Sequence, residues 1–296
     1  MPKLAEYEID RVLSKDEAKA VIGLPVEDIE PNVHDAGIYR DRATGEAVLV
    51  YAPLPASTTE LRKAVIGTNY GTSLRSAGMK NVSRVFGFTT RSVALQREAC
   101  VPTSLSIESP ETQRTLGNVA DALGSYLHEQ LPEVYDHDVD TLGAVLPEWR
   151  MTEQALWTSG VINQSSALPY HRDRANFDSW SAMPVVRRGM EGGHLHFPEF
   201  GITINCRDGW ALWFNGYAHV HGVTPMQPRA KDAYRYSIVF YAKRGMKDCH
   251  TYAVEVGEAR AKRMAREGLM VNETREDIMG KIVTARSIGN KAVNNS

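Results

Sequence analysis

Between Ala155 and Lys243 the chain is cut into short apolar runs: ALWTSGVINQSSALPYH, GGHLHFPEFGITINC, DGWALWFNG and YRYSIVFYAK. β-Branched and aromatic residues fill the runs, and Gly, Pro, Asn and Asp separate them, which is the signature of strands joined by turns. Such strands bury their apolar faces only against one another, so this stretch predicts an antiparallel unit, a sandwich or a jelly roll.

The flanks read differently. The first 150 residues mix helices and strands. Ser14-Lys15-Asp16-Glu17 and Ser57-Thr58-Thr59-Glu60 each read as a capping box opening a helix. Ser109-Pro110 reads as the cap and first turn of a longer helix, with Leu116, Val119, Ala120, Leu123, Leu127 and Leu131 at helical spacing before Pro132. From about Thr251 the pattern is helical again, and EVGEARAKRMAREGLM and TREDIMGKIVTARS predict two terminal helices. From Lys243 to Ser296 there are 11 Lys/Arg against 7 Asp/Glu, which reads as a solvated, mildly basic face. The expected organisation is a mixed α/β region over 1–150 packing on the core, a sandwich or jelly-roll core over 151–250 and a helical tail over 251–296: an α+β fold.

Composition narrows the function classes. The 296 residues are 43% hydrophobic, enough for a substantial core. A net charge of −2 and a pI of about 6.5 exclude a strong global affinity for nucleic acid and leave only a local patch. No apolar run approaches bilayer length, and MPKLAEYEIDRVLSKDE is too acidic for a signal peptide. Cys100, Cys206 and Cys249 lie far apart with no CxxC, which argues against a disulfide framework and a structural zinc site. The expected setting is reducing and cytoplasmic.

Within LPYHRDRANF, His171 and Asp173 stand two residues apart and share a face in an extended segment. The kinase reading of His-Arg-Asp fails, because no Gly-rich loop, VAIK-like lysine or DFG accompanies it. Two pairs offer a third metal ligand. One is His219/His221, which would complete the two-histidine, one-carboxylate set of non-haem iron oxygenases. The other is His194/His196, which with Glu199 suggests a cupin-like set. Arg235, inside an apolar run, is costly unless it meets an anion; its planar fork suits a carboxylate, and Ser237 on the same strand face adds a hydroxyl.

The order of these parts resembles the Fe(II)/2-oxoglutarate dioxygenases: H-x-D, then a GG-x-L-x-F-P-E strand (Gly192 to Glu199), then H-G-V-T-P (His221 to Pro225), then the arginine strand. Within that superfamily the chain is most similar to the TET/JBP branch, in particular the compact TET-like proteins of phages and bacteria. RYSIVFY, the asparagine five residues after the first histidine and SRVFGF (Ser83 to Phe88) carry this likeness. The resemblance implies a double-stranded β-helix (jelly-roll) core, and Fe(II) held by His171, Asp173 and His221, with His221 preferred to His219. It implies 2-oxoglutarate on Arg235 and Ser237 with O2 as the second co-substrate. Asn176 and Tyr241 would bind a flipped base. The implied reaction is hydroxylation of the 5-methyl group of a pyrimidine in DNA, 5-methylcytosine being favoured and thymine open.

Two departures stand out. Lys243 occupies the place of a histidine that helps read cytosine, and three cysteines cannot build the zinc region of animal TET enzymes. Arg172, Arg174, Arg187 and Arg188 are expected at the pocket mouth, facing phosphates. The competing readings are a prolyl-hydroxylase-like protein or small-molecule hydroxylase on the same scaffold, and a cupin-like binder. No protein partner is implied.

Overall fold

The structure, a computed structural model, describes residues 2–74, 80–92 and 95–266. The apolar runs become the strands Ser159–Gln164, Leu195–Phe197, Ile202–Ile204, Trp210–Phe214 and Tyr234–Tyr241. The main sheet runs in the order Ala5–Ile9, Gly37–Asp41, Ala47–Pro53, Trp210–Phe214, Ser181–Arg188, Tyr234–Tyr241, Ser159–Gln164, Lys80–Thr89, Gly71–Leu74. Strands from the first ninety residues therefore flank four central strands from the second half. Only the outermost pair, Ala5–Ile9 with Gly37–Asp41, is parallel among these neighbours. Facing this sheet lies a small antiparallel one of Ile202–Ile204, Leu195–Phe197 and Gly222–Val223. The result is an α+β protein with a jelly-roll core.

Alternation along the central strands builds two cores. Tyr236, Ile238 and Phe240 point outward with Ala182 and Val186, and pack on Leu116, Val119, Ala120, Leu123 and Leu127 of the helix Pro110–Gln130. Met183, Val185 and, at its margin, Val239 point inward against Leu195, Phe197, Ile202, Ile204 and Val223 of the small sheet. Each fully buried Leu, Ile, Val or Phe contributes roughly 1.5–3 kcal/mol, so the two faces of one strand glue three layers together. The inward face is the one that carries Arg235, Ser237 and Tyr241.

Local signals were mostly legible. Ser14 and Glu17 form a full capping box, and the Ser57 hydroxyl accepts from the Glu60 amide. The long helix starts at Pro110 as expected, but Ser109 caps it without a side-chain hydrogen bond. The first terminal helix is Tyr252–Arg266; TREDIMGKIVTARS lies outside the described residues.

Two readings are corrected, and one central strand was not anticipated. The GG-x-L-x-F-P-E stretch is not one strand: Gly192 and Gly193, at φ +69 and +71, separate Met190–Gly192 from Leu195–Phe197. The central strand Ser181–Arg188 escaped pattern reading because Pro184 sits inside it, and proline argues against a central strand. The sheet accommodates the missing N–H, for the pairing with Tyr234–Tyr241 is interrupted between Val185 and Ala182 while the register stays the same. Finally, Cys100 and Cys249 are joined in a disulfide, a closeness hidden by their 149-residue separation. No helix among the described residues is long and apolar enough to cross a membrane.

Candidate active site

A two-way backbone bridge brings the histidine motifs together. The His171 amide donates to the His221 carbonyl at 2.8 Å and the His221 amide to that of His171 at 3.0 Å. The Asp173 amide donates to the Gly216 carbonyl at 2.9 Å, which turns its carboxylate toward the same point. Gly216 is a close-approach glycine: a Cβ there would lie 2.7 Å from Asp173 Oδ2 and 3.2 Å from His221 Cε1.

The tautomers follow from the neighbours. Nδ1 of His171 faces the Pro169 carbonyl at 2.8 Å, and Nδ1 of His221 faces the His219 carbonyl at 3.1 Å. A carbonyl only accepts, so both rings carry their proton on Nδ1 and turn an Nε2 lone pair toward Asp173. The Nε2 to carboxylate separations are 3.8 and 3.9 Å, too long for hydrogen bonds. Burial, then the neighbouring His171, pushes the His221 pKa down to about 4, so this ring is neutral at pH 7. Two lone pairs and a carboxylate converging within 4.8 Å fit a divalent cation.

The competing donors are engaged elsewhere. His219 does not share a face with His221, because residues 215–219 form a turn closed by the His219 amide on the Asn215 carbonyl. Its Nδ1 meets buried Glu199 at 2.8 Å, and Glu199 in turn pairs with Arg11. His194 Nδ1 accepts from the Cys206 amide, and His196 Nδ1 bonds the Thr203 hydroxyl. The His194/His196/Glu199 set therefore does not assemble. Among the described residues, the other group of three metal-type side chains is Cys100, Cys249 and Glu255, whose cysteines are already joined.

A cavity of about 210 Å³ opens beside the triad, and Asn176, Ser237, Tyr241 and Lys243 line it. Asn176 is buried and bridges the backbone of Lys243. Lys243, whose part the sequence left undecided, contributes an amine whose pKa burial and then Arg97 lower. Arg235 is 0% exposed, and its Nε, Nη1 and Nη2 are all buried without a hydrogen-bond partner. An interior ion pair, the ordinary explanation for such an arginine, is not what holds it. Three orphaned donors beside Ser237 fit the far carboxylate of a small dicarboxylic acid.

The four other arginines divide. Arg172 donates to the Tyr217 carbonyl, and both Arg172 and Arg174 lie over the Tyr217 ring. Arg188 pairs with Asp232 on the surface. Arg187, expected at the mouth, is instead turned inward onto the carbonyls of Cys206 and Met190, since its odd position faces the interior.

A jelly roll that converges two imidazoles and a carboxylate, beside a buried arginine awaiting an anion, is the architecture of an Fe(II)/2-oxoglutarate dioxygenase. The family model for Tet_JBP, the oxygenase domain of the 2OGFeDO superfamily, matches residues 87–244, over half of the chain. The protein belongs to this family, whose enzymes use Fe(II), 2-oxoglutarate and O2. Among solved structures it is similar to NgTET1 in complex with 5mC DNA, at 16% identity and a TM-score of 0.54, over 79% of this chain and 88% of that one. It is also similar to a 2OG-Fe(II) oxygenase-family oxidoreductase from Burkholderia pseudomallei (15% identity, TM-score 0.39, 67% and 85% covered). A third is the viral collagen prolyl hydroxylase of Paramecium Bursaria Chlorella virus-1 in its 2OG complex (10%, 0.35, 67% and 97%). No curated protein matches the chain.

Proposed function

We propose that this dioxygenase hydroxylates the 5-methyl group of a pyrimidine in DNA, with 5-methylcytosine the favoured target. The observation that carries the reading is one cavity shared by the His171–Asp173–His221 cluster, the Asn176 amide and the Tyr241 ring. A methyl group inside a duplex cannot reach a buried cation, so the target base must leave the stack. An aromatic face to stack on and an amide to meet a base edge are what an everted base needs. The NgTET1 structure holds 5mC DNA, and family membership makes that substrate class the natural one to test.

His171, Asp173 and His221 are the residues we assign to Fe(II), and Arg235 with Ser237 those we assign to 2-oxoglutarate. With O2, the bound iron and co-substrate supply the oxidising power for C–H hydroxylation. The protein's part is placement. The Pro169 and His219 carbonyls hold both imidazoles in the ligating tautomer. Arg235 would fix the far end of the co-substrate. Met183, Leu195, Phe214 and Val223 keep the cavity wall apolar and limit water.

The test is incubation with Fe(II), 2-oxoglutarate and duplex DNA carrying 5-methylcytosine, followed by nucleoside mass spectrometry. Hydroxymethylcytosine is the expected product; hydroxymethyluracil would move the target to thymine. Succinate release with every nucleoside unchanged would return the choice to a protein or small-molecule hydroxylase. In parallel, His171→Ala loses retained iron and all turnover, whereas His194→Ala keeps both.

A further inference from the structure

Arg235 has a partly buried neighbour of like charge. In the antiparallel pairing of Tyr234–Tyr241 with Ser181–Arg188, Arg235 stands directly opposite Arg187. Side chains directly opposite share a face with their Cβ atoms roughly 5 Å apart, and like charges there repel. The shared face is the interior one, for Ser237 and Met183 farther along the same two strands line the cavity. Neither guanidinium has a counter-ion. The Arg235 guanidinium has no hydrogen-bond partner, and Arg187 donates from Nη1 to the Cys206 carbonyl, at 3.0 Å, and from Nη2 to the Met190 carbonyl. The nearby carboxylate, Asp208, is bound by Arg62 and by the Arg187 backbone amide.

Both charges are felt locally. Burial pushes the His194 pKa down to about 4, with Arg187 and Arg235 the next causes, so no third charge joins the pair at neutral pH. Burial and then Arg235 lower the Arg187 pKa as well. Two like charges side by side without an anion, Arg235 fully buried and Arg187 partly so, are a standing cost to the empty protein. A carboxylate arriving at Arg235 would relieve it.

We propose that Arg187 is a specificity-determining residue for the co-substrate, a second interior cation that makes the site prefer a dicarboxylate dianion over a 2-oxo monocarboxylate. The inference rests on the assignment of 2-oxoglutarate to Arg235. Because both Nη groups already hold backbone carbonyls, Arg187 acts through its field and not by moving onto the ligand. A purely structural arginine would make the opposite prediction, since its value would lie in bracing those two carbonyls.

The experiment compares Arg187→Gln, which keeps amide donors and loses the charge, with Arg187→Lys, which keeps the charge. Arg235→Met is the control. Binding of 2-oxoglutarate and of pyruvate is measured by calorimetry on Mn(II)-loaded protein without oxygen, together with the melting temperature of the ligand-free protein. We expect Arg187→Gln to weaken 2-oxoglutarate about tenfold, leave pyruvate unchanged and leave the ligand-free melting temperature equal or higher. Arg187→Lys should bind 2-oxoglutarate as the parent does. The proposal is overturned if Arg187→Gln binds 2-oxoglutarate normally while Arg235→Met does not. Equal weakening of both acids with a lowered melting temperature also overturns it, in favour of a brace. If Arg235→Met itself binds 2-oxoglutarate normally, it is the co-substrate assignment that fails.

Discussion

At the scale of single residues, the site depends on what is missing as much as on what is present. Gly216 has no side chain where the Asp173 carboxylate and the His221 ring converge, and a Cβ would sit 2.7 Å from the carboxylate oxygen. Gly216→Ala should therefore leave the cores intact, since its neighbours are site residues, while pushing Asp173 off its position. A displacement of this kind at a ligand is expected to weaken Fe(II) retention by about tenfold to a hundredfold, measured by equilibrium dialysis, with a loss of a few degrees at most in melting temperature. Unchanged iron affinity would mean that Asp173 is not a ligand. The pair His171 and Asp173 was legible because it is local. The choice between His219 and His221 was not, because a regular strand would have put both on one face, and only the turn over 215–219 separates them. Arg187 was misread for a related reason: its partner, Arg235, is 48 residues away in sequence and opposite it only once the strands pair.

At the scale of elements, the segment that carries Asp173 and Asn176 is pinned at both sides. The Phe177 amide donates to the Ala242 carbonyl and the Arg244 amide to that of Ala175, which ties the segment to the end of the arginine strand. From the other side, the helix Pro132–Leu142 reaches in with Asp138, whose Oδ2 accepts from the Trp180 amide at 2.8 Å. Asp138 is buried, and burial pushes its pKa up to about 7 against the opposing pull of Trp180 and His137. A raised carboxyl pKa means that the folded protein binds this proton more tightly than the unfolded chain. The contribution is full below the unfolded value near 4 and is lost as pH rises through about 7. Asp138→Asn keeps an oxygen for the Trp180 amide and cannot ionise. Urea unfolding at pH 5, 7 and 8.5 should show the parent losing stability across this range and the variant losing less, so that the variant is the more stable protein at pH 8.5. Parallel losses in both would assign the titration elsewhere. In the sequence Pro132 read only as the end of the preceding helix, and nothing local says that an aspartate beyond it would meet Trp180.

At the scale of the whole molecule, the site is assembled from strands that the sheet order interleaves, and segments distant in sequence, around Cys100 and Cys249, are tied together beside it. The apolar alternation made the jelly roll legible; the sheet order was not, because the pairing of Ala47–Pro53 with Trp210–Phe214 is a long-range choice that no local pattern encodes. The Cys100–Cys249 disulfide closes a long covalent loop and lies in a small core with Trp149, Phe177 and Met246, beside the segment that carries Asn176. Buried Glu255 reinforces the junction, accepting from the amides of Cys100 and His250, both at 2.8 Å, and pairing with Arg91 at 2.9 Å. A cross-link over so long a loop acts chiefly by restricting the unfolded chain, typically by about 2–4 kcal/mol. Cys249→Ser should lower the unfolding free energy by that amount in denaturant titrations without reductant, and the difference from the parent should vanish when dithiothreitol is present. Because Glu255 and the surrounding apolar side chains still hold the junction, the folded variant should retain iron and co-substrate binding. A variant that lost those instead, at unchanged stability, would mean that the junction shapes the site itself and does not merely anchor the chain around it.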